Sequence, residues 1–389
     1  MSWQTVKASE LIVKRGGSVN PSTFPDETFE LFSIPAFDAG VPEISIGSEI
    51  GSSKSCIQPN DVLLSKIVPH IRRCWVVTDK KDYRQIGSGE WIIFRDERFY
   101  PKFLKYFLTS DGFHHQFMNT VAGVGGSLVR ARPAFVEKIE IPLPPLDEQK
   151  RIAAILDKAD AIRQKRKQAI TLADEFLRSV FLEMFGDPVT NPKGWEEPIL
   201  SDIADVRSGV TKGKKLKEGT GITLPYMRVA NVQDGYLDLS SIQTITVSEK
   251  DAEKCKLLRG DILLTEGGDP DKLGRGHVWN GEIDNCIHQN HIFSVRVKDE
   301  DYVRPAFLSA VIGSQRGKRY FLKVGKQTTG IATINKTVLS EFCPIVPPLE
   351  LQDSYLKIAS RIKRMQTRKH YHEVTLFPSL SQKAFSGQL

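Results

Sequence analysis

Long stretches of this chain alternate apolar and polar residues with the spacing of an α-helix. Between residues 146 and 185 the apolar positions recur in steps of three and four, the pattern of a coiled-coil seam, which Arg166 alone interrupts. Neither proline nor glycine occurs in this stretch, so the pattern predicts one unbroken helix of about 60 Å. The apolar positions of the seam are Ile152, Ile155, Ala159, Ile162, Ala169, Ala173, Phe176 and Val180.

The C-terminal stretch, residues 347–389, repeats this spacing less regularly. Lys369 and His372 weaken it, and Pro378 should break or kink the helix because proline lacks a backbone donor and crowds the preceding turn. We interpret the two stretches as an antiparallel helix pair with a globular domain at each end; in the alternative interpretation, each helix covers its own domain. The apolar positions here are Leu351, Tyr355, Ile358, Ile362, Met365, Leu376 and Leu380.

The segments outside these helices are predicted to be α+β or mostly β. Short apolar runs bounded by turn residues indicate strands, and each half has one stretch of helical spacing after its last strand. The predicted strands are 61–68, 74–78 and 91–95 in the first half and 261–265, 276–279 and 291–297 in the second, followed by helices at 100–118 and 304–320.

An internal repeat relates the two halves. The sequence PPLDEQ at residues 144–149 returns as PPLELQ at 347–352, and DVLL at 61–64 returns as DILL at 261–264. SVF at 179–181 is echoed by KAF at 383–385. The register barely drifts, which predicts a duplicated unit made of a globular domain followed by a helix. The expected boundaries are 1–145, 146–185, 186–346 and 347–389.

The net charge of +7 is spread thinly over the 389 residues. Basic and acidic residues number 17 and 16 in 1–145, 8 and 7 in 146–185, 22 and 21 in 186–346, and 7 and 3 in 347–389. Any nucleic acid would therefore be bound by local patches and not by an overall field. The charge alone is equally compatible with a slightly basic protein that has no polyanionic partner.

The five cysteines are odd in number and lack C-x-x-C spacing, which argues against a disulfide framework and a zinc site. No apolar run approaches the length of a membrane span, and the first residues lack the features of a signal peptide. We expect a soluble, cytoplasmic protein that does not bind membranes.

No catalytic motif can be assigned. The segments 209–215 and 313–319 resemble phosphate loops only in composition, because three residues separate the glycines and no hydroxyl residue follows the lysine. The glycine-rich segment 123–126 does not fit a dinucleotide-binding loop. The histidines around 288–291 favour a structural or base-contacting role over metal binding, because the following residues read as a strand. Hence no metal ligands and no catalytic residues are predicted.

Cationic loops at equivalent places in the two halves suggest a binding function. Glycines let the backbone approach a ligand closely, and arginine or lysine can bridge guanine edges or phosphates. The alternative is that these are solvated charges on hairpin turns. The candidates are Lys66, His70, Arg72 and Arg73 in the first half and Lys272 and Arg275 in the second.

A second matched pair of segments precedes each Pro-Pro turn. Small hydroxyl residues beside glycine expose backbone N–H groups that suit phosphate oxygens, although ordinary turns have the same composition. The candidates here are Ser127 and Arg130 in the first half and Thr328, Thr329 and Lys336 in the second. His288, Gln289 and Asn290 are further candidates, from the histidine-containing segment 288–291.

Four segments together resemble the specificity (S) subunit of a type I restriction-modification system. They are PLPPLDEQKRI at 142–152, EGGD at 266–269 continuing to GRG at 274–276, CIHQNH at 286–291, and KAFSGQL at 383–389. The resemblance implies an α+β fold: two α/β target-recognition domains separated by two long antiparallel helices that form a coiled coil, with a pseudo-twofold internal repeat. Two features depart from the family pattern: the second Pro-Pro turn lacks the basic residues of the first, and Pro378 falls within the C-terminal helix, which is therefore expected to be shorter or bent.

The resemblance also implies a function. Each recognition domain would read one half of a bipartite, asymmetric site in double-stranded DNA, and the helices would fix the gap and dock two methyltransferase (M) subunits. S-adenosylmethionine, ATP and Mg would be bound by the M subunits and by restriction (R) subunits, and no cofactor by this chain. The absence of an Asn/Asp-Pro-Pro-Tyr/Phe motif agrees with a non-catalytic role. The alternatives are a nuclease and a duplicated protein-binding scaffold without DNA readout.

Overall fold

The computed structural model describes residues 3–80, 82–122, 129–213, 221–268, 273–328, 331–373 and 376–389, and the side chains within them except those of 326–328, 331 and 366–373. The chain forms two compact units. Unit 1 comprises residues 1–169 and 369–389, and unit 2 comprises residues 170–368. Each unit is described separately below.

The strands are short, as expected from apolar runs interrupted by turn residues. In unit 1 they are β1 (Gln4–Lys7), β2 (Ser18–Val19), β3 (Thr28–Phe32), β4 (Glu43–Ile46), β5 (Lys54–Cys56), β6 (Val62–Ser65), β7 (Cys74–Val76), β8 (Arg84–Gly87), β9 (Trp91–Phe94), β10 (Val121–Ala122), β11 (Arg130–Ala131) and β12 (Glu140–Leu143). In unit 2 they are β13 (Ala204–Ser208), β14 (Ile222–Met227), β15 (Gln243–Val247), β16 (Ile262–Thr265), β17 (Gly267–Gly268), β18 (Gly276–Val278), β19 (Ile287–His288), β20 (Ile292–Val297), β21 (Lys326–Thr328) and β22 (Ile331–Thr333).

Two long helices join the strand-rich parts, and shorter helices lie between the strands. In chain order the helices are α1 (Ala8–Leu11), α2 (Ile34–Ala39), α3 (Pro101–Thr109), α4 (Asp111–Met118), α5 (Pro133–Val136), α6 (Leu146–Phe185), α7 (Leu200–Ile203), α8 (Glu249–Lys254), α9 (Pro305–Ile312), α10 (Gln315–Val324), α11 (Lys336–Ser340), α12 (Leu349–Glu373) and α13 (Leu376–Phe385). Single 3₁₀ turns occupy Pro21–Thr23, Gly47–Glu49 and Val229–Asn231. No described helix is both long and apolar enough to cross a membrane.

The sheets of the two units share one pairing scheme. In unit 1, β6 lies between β7 and β9, with Val62 opposite Val76 and Phe94. In unit 2, β16 lies between β18 and β20, with Ile262 opposite Val278 and Val295. β20 also pairs with β13, which completes the strand order β13-β20-β16-β18. The repeat seen in the sequence is therefore a repeat of strand register.

A second sheet is also matched between the units. β3 pairs antiparallel with β4 and parallel with β8, just as β14 pairs antiparallel with β15 and parallel with β19. In unit 1 this sheet has the order β2-β5-β8-β3-β4. The smaller sheets are β1-β12 and β10-β11 in unit 1 and β17-β22-β21 in unit 2.

A buried ion pair recurs at the start of β6 and β16. Asp61 and Asp261 are both 0% exposed. The guanidinium group of Arg95 donates to both oxygens of Asp61 at 2.6 and 2.7 Å, and Arg296 does the same to Asp261 at the same two distances. Each pair joins the residue just before a central strand to an arginine at the end of the neighbouring strand, so the repeated aspartate is part of the scaffold.

The prediction of single helices at 100–118 and 304–320 is wrong, because each stretch is broken into two helices. The hydroxyl of Ser110 accepts from the Phe113 N–H at 3.3 Å and begins α4. The hydroxyl of Ser314 accepts from the Arg316 N–H at 3.3 Å and begins α10. Both serines stand beside a turn residue, and their capping hydrogen bonds start a new helix direction.

The prediction of one unbroken central helix is confirmed, because α6 spans all 40 residues from Leu146 to Phe185. At the end of α6 the Lys193 ammonium group donates to the carbonyl oxygens of Glu183 and Met184 at 3.0 and 2.8 Å. A cation at this end of a helix also interacts favourably with the helix dipole. The predicted apolar seam is buried only near the helix ends. Ile162 and Phe176 in the middle are 44% and 55% exposed.

Within each unit α6 runs antiparallel to a C-terminal helix. In unit 1, Arg151 donates to the carbonyl oxygen of Leu389 at 2.8 Å, and Arg163 lies 4.7 Å from the ring centre of Phe377 on α13. In unit 2, the Phe181 ring packs edge-on against Tyr355 of α12, with ring centres 5.5 Å apart. The helix break expected at Pro378 falls beside residues 374 and 375, which lie outside the described residues; α12 is described as far as Glu373, and Pro378 lies in the first turn of α13.

The C-terminal residues complete the core of unit 1. The ring of Phe385 lies 5.6 and 5.4 Å from those of Phe103 and Phe107 on α3, and Ala384 is fully buried beside them. In unit 2 the echoed residue Phe181 packs on Phe307 of α9 with ring centres 6.2 Å apart, beside Phe185 at 5.0 Å. The echo of residues 179–181 in 383–385 is thus a pair of equivalent helix faces that cover equivalent cores.

Candidate nucleic-acid interface

The two candidate segments of each half lie side by side in the structure. In unit 1, Ile67 forms a bridge with Arg130, and the Ala131 N–H donates to the carbonyl oxygen of Lys66 at 2.8 Å. In unit 2, Gly267 pairs with Thr333, and the Ile334 N–H donates to the Glu266 carbonyl at 2.9 Å. We call these places the paired edges; they comprise residues 65–68, 90 and 129–131 in unit 1 and 265–268, 291 and 331–334 in unit 2.

Residues at the same register position can be matched between the paired edges. The Lys66 N–H donates to the carbonyl oxygen of Glu90 at 3.0 Å, and the Glu266 N–H donates to that of His291 at 3.0 Å. Lys66 thus corresponds to Glu266 and Glu90 to His291. The bridges above likewise match Arg130 with Thr333.

The paired edge of unit 1 carries two cations and one anion. Arg130 is about half exposed and donates through Nε and Nη2 to the two Glu90 carboxylate oxygens, at 3.3 and 3.0 Å. The Lys66 ammonium donates to the carbonyl oxygen of Gly89 at 2.5 Å. Both candidates therefore lie against the loop before β9, with Arg130 held by a carboxylate.

The turn between β6 and β7 carries the other candidates of unit 1. Arg72 is exposed, pairs with Asp111 at 2.6 Å and donates to the Thr109 carbonyl at 3.1 Å, and His70 is also exposed. Arg73 differs, because its side chain is only 11% exposed and donates to both oxygens of Asp38 at 2.8 Å. This arginine lowers the pKa of the Asp38 carboxyl, so Arg73 fits the role of a structural residue.

Val68, in the same turn, has the backbone angle φ of 48°. A β-branched residue rarely adopts this left-handed conformation, which costs about 1–3 kcal/mol unless the surroundings impose it. Here the Val68 N–H donates to the Val129 carbonyl at 3.0 Å, and its own carbonyl accepts from Ile71 at 3.0 Å. The strained residue turns the chain from the paired edge towards His70 and Arg72.

The paired edge of unit 2 carries different side chains, with the acidic Glu266 in place of the basic Lys66. The Glu266 carboxylate lies 2.6 Å from Nδ1 of His291, whose side chain is 56% exposed. The side-chain amide of Asn290 lies 3.4 Å from Nε2 of the same histidine. An acidic residue thus stands where unit 1 has Lys66, and a histidine where unit 1 has Glu90.

His288 is buried, so its side chain does not belong to the exposed surface. It is 1% exposed, and its Nδ1 lies 2.9 Å from the carbonyl oxygen of Ile292. Burial lowers the pKa of this histidine to about 4, which keeps the ring neutral. Of the two roles predicted for it, the structural one fits. The next residue, Gln289, is half-buried, and its N–H donates to the Met227 carbonyl at 3.0 Å.

Arg275 and Lys336 lie on either side of the unit 2 edge. The Arg275 carbonyl accepts from the Thr265 N–H at 3.1 Å, as the Arg73 carbonyl accepts from Ser65 at 3.0 Å, so the two arginines are counterparts. Lys336 is exposed at the first position of α11, which the Asn335 side chain caps by accepting from Val338.

Four candidates cannot be placed by their side chains. Ser127, Lys272 and Thr329 lie outside the described residues, as does the glycine-rich segment 123–126. Thr328 ends β21, but its side chain is outside the described part of the chain.

The sequence reasoning missed the residues that bond to the candidates. Glu90 and Glu266 were not among the candidates, because the sequence criteria favoured cationic residues and did not include the carboxylates that bond to them. His291 was noted only within its motif. Aligning the two halves at DVLL and DILL would have matched Lys66 with Glu266 and shown the reversal of charge.

The paired edges offer hydrogen-bond donors and acceptors on exposed strand ends. Arginine, lysine, asparagine and glutamate are the residue types that bond to base edges and phosphates. Among the residues that the structure describes, no cluster of three or more histidine, cysteine, aspartate or glutamate residues could hold a metal ion. The chemistry of these surfaces is that of recognition.

Comparison with known proteins agrees with this geometry. The family model of the type I restriction modification DNA specificity domain matches residues 37–172 and again residues 192–374. The chain is 25% identical over 318 residues to the specificity subunit of the type I restriction enzyme StySPI from Salmonella potsdam, which covers 76% of this chain and 67% of that protein. It is 23% identical over 327 residues to the EcoKI specificity subunit of Escherichia coli, with 78% and 68% covered.

Solved structures share the fold. The S subunit of a type I restriction-modification system from M. genitalium aligns over 99% of this chain and 96% of its own, with a TM-score of 0.53 and 16% identity. A chain from a structure of a type I R-M system aligns over 100% and 98%, with a TM-score of 0.54 and 21% identity. Because the family model matches both halves of the repeat, the chain belongs to the family of type I restriction-modification specificity subunits, which recognise DNA targets, are non-catalytic and carry no cofactor.

Proposed function

We propose that this chain reads a bipartite, asymmetric site in double-stranded DNA, with the paired edge of each unit facing one half of the site. One observation carries the proposal: the two edges share a strand register but have different side chains at matched positions, Lys66 against Glu266, which are opposite in charge, and Glu90 against His291. A shared scaffold with different exposed donors and acceptors suits two different base sequences.

The candidate residues around the paired edges divide in this proposal into those that suit phosphate oxygens and those that suit base edges. Arg72 and Lys336 are exposed cations and His70 is an exposed hydrogen-bonding side chain; all three suit phosphate oxygens, contacts to which position a protein on DNA. Arg130, Asn290 and Gln289 have the planar groups that suit base edges. Arg275 joins them as an arginine beside the unit 2 edge, and Lys66 as an ammonium group on the unit 1 edge.

The long helices would dock the partner subunits. Leu172 and Phe176, one turn apart on α6, are 64% and 55% exposed, so together they offer an apolar contact to a partner. The two Pro-Pro turns begin α6 and α12 in the same way, and two equivalent helix starts suit two methyltransferase subunits. The methyltransferase subunits would bind S-adenosylmethionine, and the restriction subunits would bind ATP and Mg, in a cytoplasmic complex.

Mapping modified adenines tests the proposal. The chain is expressed with its cognate methyltransferase subunits in a host that lacks other adenine methylation, and modified bases are mapped across the genome. We expect a motif in two parts separated by a fixed number of unspecified base pairs. A continuous motif, or a complex that binds all duplexes equally, would contradict it; a complex that binds no duplex would favour the scaffold alternative.

The helices would also set the gap between the half-sites. Inserting seven helical residues near the middle of α6, and seven at the matching place in α12, lengthens each by about 10 Å, close to three base pairs of duplex. The gap of the mapped motif should grow while both half-site sequences stay the same. The control exchanges seven residues at the same places without changing the helix length. An unchanged gap in the insertion variant would show that the helices do not set the distance between the half-sites.

A further inference from the structure

Some residues have the same geometry in both copies of the fold and form its scaffold, whereas others differ between the two copies. The two hydrogen bonds from Arg95 to Asp61 and the two from Arg296 to Asp261 have the same lengths, 2.6 and 2.7 Å. At the paired edges the backbone bonds are equally well matched, yet Arg130 is replaced by Thr333 and its partner Glu90 by His291. The side chains differ there without any change of register, so the scaffold does not dictate them.

The guanidinium group of Arg130 is held so that one end stays available. Glu90 binds Nε and Nη2, the edge nearest the main chain. Among the described residues Glu90 is its hydrogen-bond partner, and the side chain is 48% exposed. The remaining hydrogens on Nη1 and Nη2 form a fork that can donate two parallel bonds, which is the geometry that guanine O6 and N7 accept.

Other arginines of unit 1 lack this combination. Arg73 is bound by Asp38 through the same atoms, but its Nη1 is buried and has no partner, so its outer end does not reach solvent. Arg95 serves the buried Asp61 within the sheet. Arg98 resembles Arg130 in exposure, at 47%, but it pairs with Asp96 in the turn before α3, away from the paired edge.

We infer that Arg130 reads a guanine in the half-site of unit 1 and that Glu90 is its positioning residue. The inference rests on the proposed function and deepens it. A carboxylate that fixes one edge of the guanidinium reduces the side-chain entropy lost on binding and sets the direction of the fork. At the matched position unit 2 has Thr333, which cannot form such a fork, so the two half-sites should differ at the corresponding base pair.

The test uses the complex of the full chain with its methyltransferase subunits. The wild-type motif is mapped first, and each base pair of both half-sites is then varied in duplexes whose methylation rates are compared. For Arg130→Ala, the preference for one guanine in one half-site should fall by roughly ten- to a hundredfold, with the gap and the other half-site unchanged. Arg130→Lys keeps the charge without the fork and should lose nearly as much preference.

Glu90→Gln tests the positioning role. The amide can still accept one bond from the arginine but no longer attracts it as an anion, so the preference should weaken at the same base pair and at no other. Arg98→Ala is the matched control, an equally exposed arginine with a carboxylate partner, and should leave the preference profile of every base pair unchanged.

The outcomes distinguish base reading by Arg130 from phosphate contact by Arg130 and from failure of the proposed function. If Arg130→Ala and Arg130→Lys leave a bipartite motif unaltered, the inference is overturned while the proposed function stands. If both slow methylation of every duplex equally, Arg130 contacts phosphate and does not read a base. If Arg130→Ala fails to assemble, the lysine variant gives the answer; if the wild type has no bipartite motif, the proposed function itself fails.

Discussion

The side-chain carbonyl oxygen of Gln149 accepts a hydrogen bond from the backbone N–H of Tyr100 at 2.7 Å. Its amide nitrogen donates to the carbonyl oxygens of Arg98 and Pro144, both at 2.9 Å, and the side chain is 0% exposed. Tyr100 is the residue before α3, and Gln149 lies in the first turn of α6. This one side chain therefore joins the recognition part of unit 1 to its long helix.

Gln352 repeats the arrangement in unit 2. Its carbonyl oxygen accepts from the Arg304 N–H at 2.9 Å, and its amide donates to Tyr302 and Pro347 at 3.1 and 2.8 Å. The repeated Pro-Pro-Leu-acid-x-Gln sequence is thus a structural joint, in which the glutamine satisfies backbone groups that no regular element could satisfy.

Gln149→Leu should destabilise unit 1 by about 2–4 kcal/mol. Leucine has a similar volume, so the loss comes from buried backbone groups left without partners. Urea denaturation followed by tryptophan fluorescence measures it. Gln168→Leu, at an exposed position of the same helix, is the control and should change stability by less than about 0.5 kcal/mol. Equal effects at both positions would show that the three hydrogen bonds contribute nothing.

Arg95→Met should cost about 3–5 kcal/mol, because it leaves the fully buried Asp61 carboxylate without its cation. The double variant Asp61→Leu with Arg95→Met removes both charges and should recover part of this loss. The measurement is a double-mutant cycle of unfolding free energies. A double variant no more stable than Arg95→Met would show that an unpaired buried charge is not the source of the cost.

Local patterns explain which predictions succeeded. The bounds of α6 follow from helical spacing and the absence of proline and glycine between Leu146 and Phe185, and both are properties of neighbouring residues. The central strands of both units follow from short apolar runs in the same way. These signals need no knowledge of distant parts of the chain.

The failures arise where distant residues meet. Glu90 and Arg130 are 40 residues apart, and only the strand register brings them together. The burial of His288 depends on the strands around it, not on its own motif. Ser110 is different, because its capping role was visible in the sequence Ser-Asp-Gly; the apolar spacing across it concealed the turn.

Unit 2 should lose stability as the pH falls from about 6.5 to about 4, in part through His288. Burial, opposed by the bond to Ile292, lowers the folded-state pKa of this histidine from 6.5 to about 4. As the pH falls, the unfolded chain therefore binds the proton before the folded chain does. The contribution of His288 to the unfolding free energy is complete above about pH 6.5 and is lost as the pH falls to about 4. The full difference is worth about 3 kcal/mol.

His288→Gln provides the test, because glutamine can still donate to the Ile292 carbonyl but does not titrate. Between pH 6.5 and 4 its unfolding free energy should fall less steeply than that of the wild type, while the two curves run parallel above pH 7.5. His277, whose pKa burial likewise lowers to about 4, should add a second contribution of the same sign. Curves that stay parallel down to pH 4 would mean that His288 is protonated equally in both states.

Val68→Gly should stabilise unit 1 by about 1 kcal/mol. At φ of 48° the valine is strained by about 1–3 kcal/mol, whereas glycine adopts this angle freely and loses only part of the gain through its more flexible unfolded state. Val129→Gly is the matched control, since Val129 is also half-buried and accepts the Val68 N–H but has no positive φ. It should lose about 1 kcal/mol in urea denaturation. A loss for both variants would show that packing of the Val68 side chain outweighs its backbone strain.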